Sequence, residues 1–364
     1  MLYTIFKLNK NYNLKYFKFF IFIYFIFYLI ILNRNLKKNN KRIGVISCNH
    51  HANIGNNLVK YAMFIILSKY GNKPEIVGTN RGKFKLSFLK KNVNFRIVNN
   101  FSEIKQKDYD ILIVNSDQSW RKWNNDFYDI AFLKFAKFWN IKKFTYAVSL
   151  GFNKWKYSKE DEKIAKQLLK NFTGISVREK NSVTLIKKNL GINSIFVLDP
   201  TLLIDKKYYL KIIKKYTNSY INDNYIFTYK VTFAKRSKYF FLMEGLIKNA
   251  SRIFNYKIFN VNLYEKDSVE KFLYGIYYSK AVITNSFHAT IFSIIFKKPF
   301  ISFRTNDDER LNSLRESLDL KTRIIEYNKK PDIDLLNKPL YFNKFKFNFF
   351  KKISIKYLKN NLNK

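Results

Sequence analysis

A polar corner between two apolar stretches is where the residue types of this chain first suggest chemistry. Within Ala281–Phe303, AVITNSFHATIFSIIFKKPFISF, a predicted strand over Ala281–Thr284 runs into Asn285, Ser286 and then His288. Open α/β sheets bind ligands at the carboxyl ends of their strands. A helix that starts at such a corner presents free N–H groups and a positive dipole end, which favour anions. The pattern therefore predicts an anionic substrate beside the imidazole of His288.

Two further charged residues follow predicted strands in the same way. Asp117 comes after the strand Tyr109–Val114, and Arg178 comes after the strand Gly174–Val177. A guanidinium at a strand-to-helix corner can bind a phosphate or a carboxylate in bidentate fashion, although a surface pair with Glu179 is the alternative. Asp117 is either a ligand-binding carboxylate or a helix N-cap. Both residues are candidates for the same cleft as His288.

A polar loop after the first predicted strand supplies further candidates. It contains His50, His51 and Asn53, so all three histidines of the chain fall in loops at strand ends. Asn53 is a candidate substrate-binding residue. The chain has a single cysteine and shows no cluster of carboxylates, and two adjacent histidines do not make a metal site. The sequence therefore indicates no metal-ligand residues, and it does not decide whether the reaction needs a metal.

The elements that must position these residues repeat a strand–loop–helix–strand order. The strand Arg42–Ser47 is followed by an apolar helical stripe over Asn56–Tyr70, which Gly71 ends, and by a second strand. The loop lacks the G-x-G-x-x-G dinucleotide pattern. We predict an α/β fold with two Rossmann-like domains, 42–193 and 194–364, and a GT-B-like cleft between them. The last residues, Phe342–Lys364, are predicted to form a helix that packs back across the domains or a frayed basic tail.

The charge of the chain is strongly positive but dispersed. It has 68 Lys+Arg against 26 Asp+Glu, a net charge of +42 over 364 residues. Lysines are spread among abundant Asn, Ile, Phe and Tyr, as an AT-rich genome would give, and no Arg-rich cluster or nucleic-acid motif is present. We therefore predict no nucleic-acid partner. The single cysteine, Cys48, excludes an internal disulfide and favours a reducing, cytoplasmic location.

Residues 1–41 form a separate basic and hydrophobic segment. Phe19–Leu32 contain 14 residues without a charge, about 21 Å as a helix against the ~30 Å hydrocarbon core. No small-residue cleavage site follows, which argues against a signal peptide. We predict membrane association through residues 16–32, as a transmembrane helix or a peripheral anchor. The alternative is a translation start placed too early, because the domain pattern begins only at Lys41.

Three segments resemble one known family. TNSFHATIFSIIFKKPFI is similar to the C-terminal signature of the polysaccharide pyruvyl transferase family, TDSFHGT followed by an apolar run and a KPF-like segment. DYDILIVNSDQSW is similar to its YD…IVGSDQVW segment. The longest match is ISVREKNSVTLIKKNLGINSIFVLDPTLLI, which resembles SVRE…LLKELGI…VLDPTLL. The resemblance covers residues 42–325.

The resemblance implies a transferase of polysaccharide biosynthesis. The family transfers a pyruvyl group from phosphoenolpyruvate to a sugar of a surface glycan, free or lipid-linked, usually as a cyclic ketal on two hydroxyls. Phosphoenolpyruvate is then the donor substrate, and no resident cofactor is implied. His288 would be the acid or a phosphate ligand, and Asp117 would bind or activate the acceptor. The residues predicted to bind substrate are Arg178, Asn285, Ser286 and Asn53.

Two other functions remain open at this point. A GT-B glycosyltransferase would use a nucleotide sugar, but the second domain lacks an acidic E-x₇-E pair. A non-catalytic family member associated with glycan or membrane would keep the fold without the chemistry. Ser286 favours that third hypothesis, because many members have an arginine at this position, two residues before the histidine.

Overall fold

The computed structural model describes residues 40–47, 53–79, 87–122, 127–216, 224–231, 238–261, 268–305 and 307–363. The apolar segment 16–32, Cys48, His50 and His51 lie outside these ranges, so the predictions about them stay predictions. Among the described residues no helix has the length and apolar character needed to cross a membrane.

The first half of the chain is built on a parallel sheet in the order β3-β2-β1-β4-β5. Its central strands, such as ILIV in β4, are continuous apolar runs because helices cover both faces. A short parallel pair, β6 with β7, joins the edge through bridges from Phe144 to Gly174 and from Val148 to Val177. The strands are β1 Arg42–Ile46, β2 Lys73–Thr79, β3 Phe95–Val98, β4 Ile111–Val114, β5 Lys142–Thr145, β6 Ser176–Val177 and β7 Ile195–Phe196.

Five helices of the described part of this half cover the sheet, and local signals set their ends. Asn53 caps α1, and Ser158 forms a capping box at the start of α4. Gly191 ends α5 with φ 72°, a left-handed conformation that costs glycine nothing. The helices are α1 Ile54–Lys69, α2 Ser87–Asn92, α3 Phe127–Phe132, α4 Lys159–Leu169 and α5 Lys180–Leu190.

The second half contains another parallel sheet, in the order β12-β11-β10-β8-β9. Its strands are β8 Tyr225–Tyr229, β9 Lys257–Asn260, β10 Ala281–Thr284, β11 Phe300–Arg304 and β12 Ile324–Glu326. Its helices are α6 Lys206–Lys214, α7 Lys238–Phe254, α8 Ser268–Tyr278, α9 Phe287–Ile295, α10 Glu309–Leu318 and α11 Lys344–Asn363. The α/β class with parallel sheets is confirmed; the domain limits at 42–193 and 194–364 stay a prediction.

The last helix, α11, packs against the first half. The backbone N–H of Leu198 donates to Ser354 Oγ at 2.9 Å, and the Tyr357 hydroxyl donates to the Thr145 carbonyl at 2.9 Å. Lys41 Nζ donates to the Leu362 carbonyl at 2.6 Å. Of the two predictions for this segment, the structure shows the helix that packs back.

The two halves share one apolar core. A single buried cluster includes Leu58 of α1, Tyr209 of α6, Phe292 of α9 and Leu358 of α11. The rings of Tyr209 and Phe292 meet edge to face with centroids 4.8 Å apart. The halves are therefore packed together along α1, α6 and α9, and the polar junction described next lies at one end of this contact.

Candidate active site at the junction of the two sheets

His288 lies where the amino ends of two helices meet. It is the second residue of α9, and its ring lies against Gly55, the second residue of α1 in the other half. A Cβ added at residue 55 would overlap the imidazole, so the approach requires glycine here. Two helix N-termini from opposite halves thus point to one place, which favours an anion there.

Next to His288 lies a buried cluster of charged side chains. Arg178 donates from one terminal nitrogen to Asp199 Oδ2 at 2.8 Å and from the other to Asp117 Oδ1 at 2.9 Å. Its Nε lies 3.5 Å from Glu179 Oε1. The guanidinium carbon also lies 4.6 Å from the ring centroid of Phe287. The side chain is 1% exposed, and each of its three nitrogens lies within 3.5 Å of a carboxylate oxygen of the protein itself.

The aspartates hold this arrangement through further hydrogen bonds. Asp117 Oδ2 accepts from Asn56 Nδ2 at 2.9 Å. Asp199 Oδ1 accepts from the Thr201 hydroxyl at 2.7 Å, while Oδ2 lies 3.8 Å from His288 Nε2. That last distance is outside hydrogen-bond range, so the imidazole and Asp199 form an ion pair only when His288 is protonated.

The charges of the cluster are mutually dependent. Burial disfavours the ionised form of Asp117, but Arg178 and His288 outweigh it and the pKa of this carboxyl lies below its usual range. Burial also raises the pKa of Asp199, but His288 and Arg178 outweigh burial and lower it. Burial opposes the charge of Arg178, yet the surrounding carboxylates raise its pKa. For Glu179 burial dominates and raises the pKa.

Asp117 has an unusual backbone conformation. Its φ is 78°, in the left-handed region, and Ala147 nearby has φ 52°. Strained backbone of this kind is found preferentially at functional sites. The alternative that Asp117 caps a helix is wrong, since residues 118–122 form only a turn and a bend.

Three predicted substrate ligands serve local structure. Ser286 is the N-cap of α9, and its Oγ accepts from the Ala289 N–H at 3.3 Å. Asn285 exchanges two hydrogen bonds with the backbone of Val231, at 2.7 and 3.0 Å. Asn53 caps α1 through the Asn56 N–H at 3.1 Å. These contacts explain why the residues stand at these corners; their contact with substrate stays a prediction.

Two arginines from opposite halves lie near this cluster. Arg310, at the start of α10, forms a forked pair with Asp308 at 3.0 and 3.1 Å. The pKa of Arg121 is lowered first by burial and then by the positive charge of Arg310, whereas Asp308 acts in the opposite direction. Arg310 also lowers the pKa of Asp117. The charge of Arg310 therefore acts both on Arg121 and on Asp117 of the buried cluster.

Two nitrogens of the site, one in an imidazole ring and one in a guanidinium group, have no hydrogen-bond acceptor among the described residues. These are His288 Nε2 and Arg178 Nε, both buried. A buried polar atom without a partner costs free energy, and in native proteins it points to a bound water or ligand or to a catalytic role. His288 Nε2 is thus open to a ligand. Within the same residues no group of three His, Cys, Asp or Glu side chains is arranged to hold a metal ion.

Sequence reasoning brought His288, Asp117 and Arg178 to one site but missed Asp199, Arg121 and Arg310. Asp199 comes shortly after a strand, as Asp117 does, and it caps the 3-10 turn Pro200–Leu202. The same carboxylate also joins Arg178 to His288, which a local pattern cannot reveal.

Comparison with known proteins gives a family and a fold. The model of the family described as polysaccharide pyruvyl transferase matches residues 53–307. No curated protein sequence matches the chain.

Solved structures share the architecture at low identity. The UDP-GlcNAc 2-epimerase of Methanocaldococcus jannaschii is 14% identical with a TM-score of 0.57, over 88% of this chain and 99% of that one. S. aureus MnaA bound to UDP is 14% identical with a TM-score of 0.50, over 88% and 96%. Arabidopsis thaliana UGT89C1 complexed with UDP-L-rhamnose is 9% identical with a TM-score of 0.50, over 90% and 98%. These likenesses show the fold, that of GT-B-like epimerases and glycosyltransferases.

Proposed function

Because the chain belongs to the polysaccharide pyruvyl transferase family, we propose that it transfers a pyruvyl group from phosphoenolpyruvate to a saccharide of a surface glycan. The observation that carries this proposal is the position of His288. Its unpartnered Nε2 lies where the amino ends of α1 and α9 meet, beside a buried ionic cluster. A dianionic or trianionic donor fits two helix N-termini, and an imidazole fits the proton transfer that the donor needs.

The reaction requires one proton at carbon and one displaced phosphate. His288 donates a proton to C3 of phosphoenolpyruvate, so that the methylene becomes a methyl group and C2 becomes electrophilic. The first acceptor hydroxyl bonds to C2 and passes its proton to the now neutral imidazole. The second hydroxyl bonds to C2 as the phosphate leaves with the C2–O pair of electrons and the remaining proton. The product is a cyclic ketal and inorganic phosphate.

The geometry of the cluster supports this role for His288. Arg178 holds Asp117 and Asp199 through its two terminal nitrogens, and Asp199 Oδ2 lies 3.8 Å from His288 Nε2. Asp199 therefore lies beside the imidazole nitrogen that the proposed reaction uses. The proposal that Asp117 activates the acceptor is harder to accommodate, because both its oxygens already accept hydrogen bonds.

The donor's anionic groups need cations other than Arg178. The guanidinium of Arg178 is directed to three carboxylates, so binding a phosphate would mean breaking a buried ion pair. Arg310 is 22% exposed, and its pair with Asp308 uses Nε and one terminal nitrogen, so a ligand at the other terminal nitrogen would not break that pair. The charge of Arg310 also acts on Arg121. We assign the phosphate and carboxylate of the donor to these two arginines and the helix N-termini. These groups would take the place of the arginine that many family members have at the position of Ser286.

A thermal-shift titration tests the proposal. A ligand at 100 times its dissociation constant adds about 2.7 kcal/mol of stability, which raises the midpoint by several degrees. We expect phosphoenolpyruvate to stabilise the full chain more than pyruvate or phosphate does. His288→Ala and Arg310→Ala should weaken this stabilisation. Arg252→Ala should not, because Arg252 is an exposed arginine on α7 that donates to Asn249 of the same helix.

Turnover gives the second part of the test. With an accepted saccharide, His288→Ala should lose roughly 10²–10⁴-fold in rate, the usual contribution of general acid–base catalysis. A folded His288→Ala variant that keeps most of its turnover would contradict the proposed role.

A nucleotide-sugar glycosyltransferase is the second candidate, because GT-B-like neighbours with a TM-score of 0.50 carry UDP or UDP-L-rhamnose. Stabilisation by a nucleotide sugar and not by phosphoenolpyruvate would favour it. No response to any of these ligands would favour a non-catalytic member. Membrane association through residues 16–32, with the rest in the cytoplasm, remains a proposal of its own.

A further inference from the structure

We propose that the exposed face of α11 docks the protein onto an anionic lipid bilayer. Phe345 and Phe349, four residues apart, lie on one side of this helix and are 82% and 54% exposed. Tyr341, just before the helix, is 81% exposed. Large aromatic side chains grouped on one surface mark an interaction site rather than ordinary scatter.

Lysines continue the same face. α11 contains six lysines and no acidic residue. Lys352 and Lys356 follow Phe345 by seven and eleven residues, which places them on its side of the helix, and both are exposed. We call the set Phe345, Phe349, Lys352 and Lys356 the aromatic–basic face.

The opposite side of α11 is fixed, so this face cannot turn inward. Leu358 and Leu362 are buried in the shared core, and Ser354 and Tyr357 hydrogen-bond to the first half. The aromatic–basic face is therefore held rigidly outward, with its aromatic rings at one end and its lysines beyond them.

The start of the described chain lies at the same helix. Lys41 Nζ donates to the carbonyl of Leu362, near the end of α11. A helix of 20 residues is about 30 Å long. The basic side chain of Lys41 thus lies at the end of α11 opposite to the aromatic rings.

The chemistry of the face fits lipid better than a soluble acidic polymer. Phenylalanine rings offer no hydrogen bond and gain most from entering the headgroup region of a bilayer. Lysines near an anionic leaflet each strengthen binding roughly fivefold, and their long stems allow the charge to stay among the headgroups. Bilayer docking would bring the protein to lipid-linked saccharides.

Vesicle co-sedimentation of the full chain tests the proposal, with vesicles of phosphatidylcholine alone and with phosphatidylglycerol added. We expect wild type to bind the anionic vesicles. Phe345→Ser/Phe349→Ser should lower this binding at least tenfold, and Lys352→Gln/Lys356→Gln should lower the preference for anionic over neutral vesicles. Phe138→Ser is the matched control, because Phe138 is 88% exposed but lies outside α11.

Several results would overturn the inference. One is a Phe345→Ser/Phe349→Ser variant, folded by circular dichroism, that binds vesicles as tightly as wild type does; the apolar segment or the diffuse charge would then account for binding. Equal dependence of dextran sulfate binding on the same two aromatics would indicate an acidic polymer. Concentration-dependent dimerisation that the double substitution abolishes would indicate a second copy. None of these results depends on the proposed pyruvyl transfer.

Discussion

Arg178 is the residue on which the charged cluster depends. It is the only described cation in direct contact with both Asp117 and Asp199, and all three side chains are almost fully buried. Removing one member of a buried ion pair leaves an uncompensated charge in a medium of low polarity, which costs more than the pair itself contributes. The guanidinium is therefore a structural requirement of the site before it can be a ligand of any substrate.

We expect Arg178→Met to lower the free energy of unfolding by about 3–5 kcal/mol, because two buried carboxylates then face each other without a counter-charge. Urea denaturation followed by circular dichroism measures the change. Arg96→Met is the control, because the Arg96–Asp108 pair is also 2.9 Å long but its side chains are 32% and 22% exposed. It should cost no more than about 1 kcal/mol. Equal losses in both variants would show that burial does not set the cost.

Stability should fall as the pH drops below about 4. Asp117 and Asp199 have lowered pKa values in the folded protein, so their contribution is complete above the unfolded value of about 3.9 and is lost as the pH falls towards the folded values. Each carboxyl adds a slope of about 1.4 kcal/mol per pH unit in that window. Glu179, whose pKa is raised, acts in the opposite direction.

Urea denaturation between pH 2.5 and 6 measures this dependence. In Arg178→Met the carboxyl of Asp117 loses the largest charge that lowers its pKa, and that of Asp199 loses the one that acts beside His288. The acid-limb slope should therefore be smaller than in wild type. An unchanged slope would mean that other carboxylates, such as the buried Asp161 paired with Lys122, dominate acid unfolding.

At the residue scale the sequence indicated the place of the chemistry better than its connections. His288, Asp117 and Arg178 were predicted from a rule about strand ends, and that rule holds whatever the distant partners are. Which nitrogen of Arg178 binds which carboxylate depends on residues far apart in the chain, among them Asp199, and on burial that only the packed structure defines.

At the element scale the site is a meeting of helix N-termini. α1 and α9 each follow the central region of a parallel sheet, and each directs its first turn to the junction. Gly55 permits this approach because any side chain would occupy the space of the His288 ring.

We expect Gly55→Ala to lower the thermal midpoint, because the new methyl group overlaps His288 and overpacking costs about 1–3 kcal/mol. It should also weaken stabilisation by phosphoenolpyruvate. Gly245→Ala is the control, because Gly245 lies inside α7 and an added Cβ would have no heavy atom within 4 Å. Alanine there should raise stability by up to about 1 kcal/mol through helix propensity. A Gly55→Ala midpoint at or above wild type would contradict the contact.

Elements with one clear signal were predicted closely, and short ones were missed. The strand Ala281–Thr284 has the predicted bounds, since a buried parallel strand is a continuous apolar run between polar residues. The six-residue α2 and the strands β3 and β12 were not predicted. They are short, and only one of the four residues of β3 is buried, so tertiary pairing and not its own pattern defines it.

At the scale of the whole molecule, α11 packs on both halves, and it hydrogen-bonds to the half that precedes it in sequence by more than 140 residues. Its buried face completes the core beneath Leu198, directly before Asp199. The basic composition of Phe342–Lys364, which suggested a frayed tail, reflects only the outer side of α11.

We expect Leu358→Ala to lower the free energy of unfolding by about 2–5 kcal/mol, because Leu358 is fully buried and alanine leaves a cavity. Phe345→Ala on the same helix is the control and should stay within about 0.5 kcal/mol, since its side chain is exposed. Urea denaturation measures both. Similar effects of the two substitutions would show that α11 is not docked as described.

Because α11 packs back on the first half, it limits how this chain can be joined to a family relative in a chimaera. A crossover near residue 200 that joined the first half of this protein to the second half of a family relative would bring in a foreign last helix with the second half. That helix would meet a surface shaped for Ser354, Tyr357 and Leu358, and a foreign histidine would meet Gly55. A viable chimaera would therefore need a second crossover before Lys344, so that the inherited unit is a discontinuous pair of segments.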